Sequence, residues 1–198
     1  MNKYLANAGQ APYPEDSELA TLTLFETGCR AGEGMRLHRG QASWNDECLV
    51  FYRVPVTKRR GSVFRDVIIL RRVEDPWCEV LIERLEAAPD GYLFPRLTPF
   101  TREPIPGSHV SRKTLWSRVS DVDPYPVLPR GKQMWPHGLR GLRASMLVAV
   151  YGFSVQMLVS WFEWKNANMA LHYTRTRDLA KALGVGALPS PRRAAGNG

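Results

Sequence analysis

The feature that most constrains this chain is an uncharged, largely apolar run, 144–162, that directly follows a cluster of cations. The run is long enough to suggest a membrane span. It nevertheless contains Gly152, Ser154 and other polar residues, and charged residues flank it on both sides. A glycine closely followed by a serine is typical of one helix ending and another beginning. We therefore predict two short buried helices, with a membrane-associated segment at 144–162 as a remote alternative.

The stretch WPHGLRGLR before this run places His137 and Arg140 three residues apart. Residues at this spacing share one face of a helix. Cations near a helix start oppose the helix dipole, so their placement needs a reason other than helix stability. An imidazole and a guanidinium held side by side can each donate to an oxygen of one phosphate group. A solvated helix start with an incidental histidine is the alternative.

The charge balance favours an anionic partner. The chain has 27 Lys and Arg against 19 Asp and Glu, a formal net charge of +8, and most of the basic residues are arginine. Arginine forks match phosphate oxygens, so a nucleic-acid partner is one interpretation; a basic protein whose charge only keeps it soluble is the other.

Other sequence features limit cofactors and location. The three cysteines form no C-x-x-C motif, and no glycine-rich nucleotide loop or ligand-like carboxylate cluster occurs, so we expect no metal and no cofactor. The first residues lack the apolar core of a secretory signal, which predicts a cytoplasmic protein.

Local patterns predict an α+β fold that is predominantly helical, with a small antiparallel sheet. Segments 48–56 and 63–70 are rich in β-branched and aromatic residues and flank the cationic turn TKRRGS, as in a β-hairpin. Helices are predicted at 15–25, 77–88 and 108–119 and within 138–162, and proline-dense loops at 95–106 and 121–136. We expect an N-terminal segment at 1–16, one domain at 17–183 and a flexible tail at 184–198.

Tyr173 lies in the stretch ALHYTRTRD, next to His172 and close to Arg175 and Arg177. Nearby cations stabilise a phenolate, so we expect the pKa of Tyr173 to lie below the usual value of about 10. A phenolate is a competent nucleophile towards phosphorus. An aromatic core residue on an amphipathic helix is the alternative interpretation.

Four stretches in order resemble the conserved boxes of tyrosine recombinases, the class of phage integrases and Xer proteins. TGCRAGE (27–33) resembles the T-G-x-R-x-x-E box, and HGLR (137–140) matches the H-x-L-R box. The apolar helix pair follows, and then VSWFEWKN (159–166) resembles the segment that ends in L-G-H or L-G-W. Tyr173 stands nine residues after Trp164, which is the family's spacing. The resemblance extends from about residue 17 to 183.

The resemblance implies a tyrosine-recombinase catalytic-domain fold and a set of residue roles. The implied phosphate ligands are Arg30, His137, Arg140 and Trp164, the nucleophile is Tyr173, the acid for the leaving 5′-oxygen is Lys58, and the carboxylate that orients Arg30 is Glu33. It implies cleavage of double-stranded DNA through a 3′-phosphotyrosyl intermediate without metal or cofactor, and self-association on DNA as a synaptic tetramer. The chain departs from the pattern at Gly141, where histidine is usual, and at Glu163, where glycine is usual.

Basic residues outside the boxes complete a predicted DNA-binding surface. The hairpin supplies Arg53, Arg59, Arg60 and Arg65 beside Lys58, and the stretch SHVSRKTLWSRVS supplies Arg112 and Lys113. Contacts of this kind give salt-dependent affinity with little choice of sequence. A solvated cationic turn and an ordinary surface helix are the alternatives.

Two other functions remain open from the sequence. A type IB topoisomerase resembles the family in its catalytic residues, and a non-catalytic DNA-binding module could keep the same fold. The reaction products separate them: strand exchange, relaxation of supercoils alone, or no cleavage.

Overall fold

The computed structural model describes residues 14–56, 63–71, 77–88, 91–101, 103–120 and 136–174. Its helices are α1 (Pro14–Thr27), α2 (Ala31–Gly34), α3 (Trp77–Glu86), α4 (Arg112–Ser120), α5 (Pro136–Ala149) and α6 (Val155–Phe162). Its strands are β1 (Ala42–Trp44), β2 (Cys48–Pro55), β3 (Phe64–Leu70), β4 (Pro95–Leu97) and β5 (Pro104–His109). Residues 168–174 are also helical. The predicted helical α+β class with a small antiparallel sheet is confirmed.

Helix α1 lies at the centre of the domain. Its first turn contains Glu15 and Asp16, whose carboxylates suit the positive end of a helix dipole. Its leucines are buried, and so are polar residues such as Thr21 and Glu26, so this helix is covered on more than one face. It packs against α3, α4, α5 and β3. The loop that follows α1 is therefore held within the protein rather than at its edge.

The three-stranded sheet has the order β1-β2-β3 and is antiparallel throughout. Leu49 lies opposite Ile69, and Phe51 opposite Val67. All four side chains are buried in the core. They lie on one face of the sheet because successive residues of a strand point to opposite faces. A register shift between Phe51 and Val54 interrupts β2, and Arg53 adopts a positive φ of 53° there. The two strands predicted for the hairpin are present as β2 and β3, and β1 was not predicted.

The segment 95–106 was predicted as a loop, and that prediction is wrong. It contains β4 and the first half of β5, which pair with each other. Pro95 and Pro104 are the first residues of their strands, a position where a missing backbone N–H is tolerated. Helix α4 consequently begins later than predicted, after Ser111, whose hydroxyl accepts a hydrogen bond from the Thr114 backbone N–H at 3.0 Å.

The predicted break in the apolar run is confirmed. Helix α5 ends at Ala149, Gly152 has a φ of +68°, and Ser154 caps α6 by accepting from the Met157 backbone N–H. Helix α6 ends where Glu163 adopts the left-handed conformation. Within the described part of the chain, no helix has the length and apolar character needed to cross a membrane.

A buried ion pair joins α5 to α1. Arg143 Nη1 lies 3.0 Å from Glu26 Oε2, and the two side chains are 4% and 5% exposed. Removing one member leaves a buried charge poorly compensated, so we expect Arg143→Met to lower the free energy of unfolding by about 3–5 kcal/mol. Urea denaturation measures this loss. The double variant Arg143→Met/Glu26→Leu should lose less than the single one, and an equal or larger loss would contradict the assignment.

Candidate active site

The turn between α1 and α2 is shaped by Thr27 and Gly28. The Thr27 hydroxyl donates to the carbonyl of Thr23 at 2.6 Å and accepts from the backbone N–H of Cys29 at 3.2 Å. Gly28 has a φ of +59°, and a Cβ there would lie 2.6 Å from Cε1 of Phe162. Only glycine suits both the backbone conformation and the close approach. The turn is thus pressed against the end of α6, and Arg30 follows it.

Arg30 and Glu33 form a closed unit at the start of α2. Glu33 Oε2 accepts from the Arg30 backbone N–H, and Oε1 accepts from Arg30 Nη1, each at 3.0 Å. Glu33 is buried, whereas the Arg30 side chain keeps 21% of its surface exposed. The carboxylate therefore holds the guanidinium while leaving part of it open to solvent.

Arg140 reaches the same carboxylate from helix α5. Its Nη1 donates to the carbonyl of Gly28 at 2.6 Å and its Nη2 to the carbonyl of Phe162 at 3.0 Å. Nη1 also lies 3.7 Å from Glu33 Oε2. Two arginines far apart in the sequence, Arg30 and Arg140, thus meet at Glu33. Arg30 and Arg140 are therefore close together, as expected if both bind one phosphate.

The cluster around Glu33 carries more positive than negative charge. Arg140 is only 3% exposed. Burial, followed by the charges of Arg65 and Arg30, lowers the pKa of Arg140 to about 9, and Glu33 offsets this only in part. A cation held under such conditions is stabilised by an added anion. The site is therefore electrostatically suited to a phosphate group.

Three aromatic rings form a column beside Arg140. Phe162 stacks on Trp164 with centroids 4.7 Å apart, and Trp164 stacks on Tyr173 at 5.9 Å. The Arg140 guanidinium carbon lies 4.5 Å from the centroid of Phe162 and 6.0 Å from that of Trp164. The Tyr173 hydroxyl lies 3.2 Å from where a Cβ on Gly141 would stand. The predicted phenol is thus next to the helix turn that bears Arg140.

The expectation that Tyr173 ionises easily is wrong for this arrangement. Burial raises the pKa of its phenol above the ordinary value, and the charge of Arg140 offsets the rise only in part. Arg175 and Arg177 lie outside the described residues. Desolvation of the ring outweighs the nearby cation because a charged phenolate is disfavoured away from water.

An open cleft of about 940 Å³ borders Arg30 and His137. Arg112 and Lys113, the predicted DNA contacts of α4, line it as well. None of its described lining residues is acidic. The lining residues that were not predicted from the sequence include Met35, Arg36 and Trp116.

The two described hairpin cations, Arg53 and Arg65, do not share one surface. Arg65 was predicted to contact DNA, but it is 4% exposed and points into the protein, so that prediction is corrected. Its position on β3 explains this, because it shares the inward face with Val67 and Ile69. Arg53 is exposed and lies over the ring of Phe64 at 4.7 Å. Lys58, Arg59 and Arg60 lie outside the described residues.

Metal ligation has no evident place in the described ranges, since no group of three or more His, Cys, Asp or Glu side chains there could hold an ion. The donors that meet at Glu33 are the guanidinium groups of Arg30, Arg65 and Arg140, which suit an anion.

Comparison with known proteins gives consistent matches. Residues 1–179 match the sequence model described as the phage integrase family. No curated protein matches the chain significantly. A structure of XerH site-specific recombinase bound to its palindromic difH substrate superposes with a TM-score of 0.67 at 17% identity, covering 93% of this chain and 50% of that one.

Two further structures share the fold. XerA recombinase gives a TM-score of 0.62 at 17% identity, covering 97% of this chain and 63% of that one. The catalytic domain of bacteriophage HP1 integrase gives 0.53 at 19% identity and covers 97% and 94%. The chain thus spans 50% to 63% of these two Xer proteins but 94% of the HP1 catalytic domain.

Proposed function

The chain belongs to the phage integrase family, and from this premise we propose that it is a site-specific DNA recombinase that cleaves and rejoins DNA through Tyr173. The observation that carries the proposal is the meeting of Arg30 and Arg140 at Glu33, with Trp164 and Tyr173 stacked beside Arg140. This arrangement supports the proposal because it would hold one phosphate next to one nucleophile. The solved relatives that are bound to DNA support double-stranded DNA as the substrate.

Attack on a phosphodiester adds negative charge to the non-bridging oxygens. Arg30 can receive one of these oxygens from the cleft, since part of its guanidinium is open. His137, also on the cleft wall, can donate to a second oxygen. Arg140 and Trp164 are not among the described lining residues of the cleft, and they lie beside each other with the guanidinium carbon 6.0 Å from the ring centroid. Preorganised donors of this kind are typically worth about 10²–10³ in rate each.

The covalent step exchanges one phosphate ester for another. The Tyr173 oxygen bonds to phosphorus, the bond to the 5′-oxygen breaks, and a 3′-phosphotyrosyl link remains. The phenol proton leaves to a base, with His137 as the candidate, and Lys58 is the candidate acid for the 5′-oxygen. Attack by another 5′-hydroxyl reverses the step, so rejoining consumes no nucleotide.

Strand exchange needs more than one active site on DNA. We therefore propose that several copies assemble on the substrate, as a synaptic tetramer. One solved relative, lambda integrase, is a dimer on its core site. Cations of the cleft, Arg112 and Lys113 among them, would contact the DNA backbone and make binding sensitive to salt.

A nicked duplex that traps covalent intermediates tests this function. The substrate should come from the genetic element that encodes the chain, and the product should be a DNA–protein adduct that survives denaturation. Mass spectrometry should locate the linkage at Tyr173. Binding without any adduct would indicate a non-catalytic module. Adducts with supercoil relaxation but no exchange between duplexes would indicate topoisomerase-like activity.

A further inference from the structure

Arg65 is a buried cation that none of the family boxes accounts for. It lies on β3, and its side chain is 2% exposed. A charged group at such a depth is destabilising unless it is paired and hydrogen-bonded. Its partners therefore indicate what holds it there.

The guanidinium of Arg65 binds two separate segments of the chain. Nη2 donates to the carbonyl of Thr27 at 3.0 Å and to Sγ of Cys29 at 3.3 Å, both in the turn before Arg30. Nη1 donates to the carbonyl of Trp161, near the end of α6, at 3.0 Å. Nη2 also lies 3.9 Å from Glu33 Oε2. One side chain thus connects the turn, the end of α6 and the carboxylate of the site.

Arg140 connects the same two segments one residue further along each. Arg65 binds the carbonyls of Thr27 and Trp161, and Arg140 binds those of Gly28 and Phe162. The two guanidinium groups therefore form adjacent crosslinks between consecutive carbonyls. The carbonyls of the last turn of a helix have no hydrogen-bond donor within the helix. At the end of α6, the two arginines supply donors to the carbonyls of Trp161 and Phe162.

The crosslinked segments carry groups assigned above to phosphate binding. The turn leads directly into Arg30, and the end of α6 leads through Glu163 to Trp164. Removing Arg65 takes one donor from the carbonyl of Thr27 and one from that of Trp161. Among the described residues, Arg140 is then the guanidinium that still connects the turn to the end of α6. A small shift of either segment changes the distance between Arg30 and Trp164.

We propose that Arg65 is a positioning residue that fixes the turn bearing Arg30 against the end of α6 bearing Trp164. The proposal rests on the recombinase function proposed above. It predicts that loss of Arg65 slows the chemical step much more than it weakens DNA binding. A misplacement of about 1 Å can reduce a rate by about 10²-fold.

The test compares Arg65→Met with Arg143→Met. Both arginines are buried to a similar degree, but Arg143 pairs with the Glu26 carboxylate in the last turn of α1, whereas Arg65 binds the carbonyl of Thr27 and the carbonyl of Trp161. Hydrogen exchange is measured on the proteins without DNA. The single-turnover rate of adduct formation is measured at saturating DNA. Both measurements are made at a temperature at which both variants are folded. We expect Arg65→Met alone to speed exchange at residues 28–30 and 162–164, and to slow adduct formation about 10²-fold with DNA affinity nearly unchanged.

Arg65→Lys serves if the methionine variant does not fold. Lysine keeps the charge but lacks the fork that reaches both segments. Hydrogen exchange should therefore still rise in both segments, and the rate of adduct formation should fall by less than in Arg65→Met. Exchange that rises no more than in Arg143→Met overturns the proposal, and so does a wild-type rate despite faster exchange. A wild-type protein without any adduct refutes the recombinase function instead, and exchange alone then decides whether Arg65 holds the two segments.

Discussion

Replacing Tyr173 with phenylalanine should abolish the covalent adduct with DNA while leaving the fold and the DNA affinity close to wild type. The change removes one oxygen, and the ring that stacks on Trp164 remains. Without a nucleophile the rate should fall by at least about 10⁴-fold, to below detection. Denaturing electrophoresis of the trapped complex measures the adduct, and fluorescence anisotropy of labelled DNA measures affinity.

Tyr151→Phe is the matched control for this experiment. Tyr151 is also partly buried in the C-terminal half of the domain, but it packs against Phe153 outside the aromatic column. Its variant should form the adduct at the wild-type rate. An adduct formed by Tyr173→Phe would show that another residue is the nucleophile, and the assignment of the site would then fail.

Lysine substitutions at Arg30 and Arg140 should both slow cleavage strongly but should differ in their effect on stability. Each variant keeps the charge and loses the forked donors, so we expect a rate loss of about 10²–10³ in each. Arg140 also holds the carbonyls of Gly28 and Phe162 in the interior. Its loss should therefore lower the free energy of unfolding by about 1.5–3 kcal/mol per lost bond.

Arg30→Lys should leave the free energy of unfolding almost unchanged. The Arg30 side chain is partly exposed, and the hydrogen bond described for its guanidinium is the one to Glu33. Urea denaturation and single-turnover kinetics on the same samples separate the two effects. Equal destabilisation by both variants would contradict the different placement of the two arginines. A wild-type cleavage rate in either variant would remove that arginine from the site.

The sequence was sufficient to predict the helical α+β fold and the meeting of distant boxes, and the family match confirms the resemblance. The helix break at Gly152 and Ser154 was predictable because it depends on local backbone preferences. The alternation along β3 also contained the signal that Arg65 faces inward with Val67 and Ile69. The charge of its neighbours in the hairpin suggested the opposite interpretation.

Other features could not be predicted because they depend on tertiary contacts. The β4–β5 pair forms in a proline-rich stretch, where local preference indicates a loop. The direction of the Tyr173 pKa depends on burial, which the neighbouring cations in the sequence do not reveal. The cleft position of Arg36 and Trp116 depends on how α4 packs near α2.

The aromatic column holds Tyr173 by stacking, whereas hydrogen bonds and ion pairs hold the arginines. Hydrogen bonds to carbonyls are directional, and they fix Arg140 in one geometry. Stacked rings attract each other by only about 0.5–1.5 kcal/mol beyond their burial and tolerate offset arrangements. If DNA binds as proposed, an incoming strand should therefore displace the Tyr173 ring without breaking the hydrogen bonds that hold Arg140. Under the proposed function, the arginines would therefore hold the phosphate in a fixed position while the Tyr173 ring moves into line for attack.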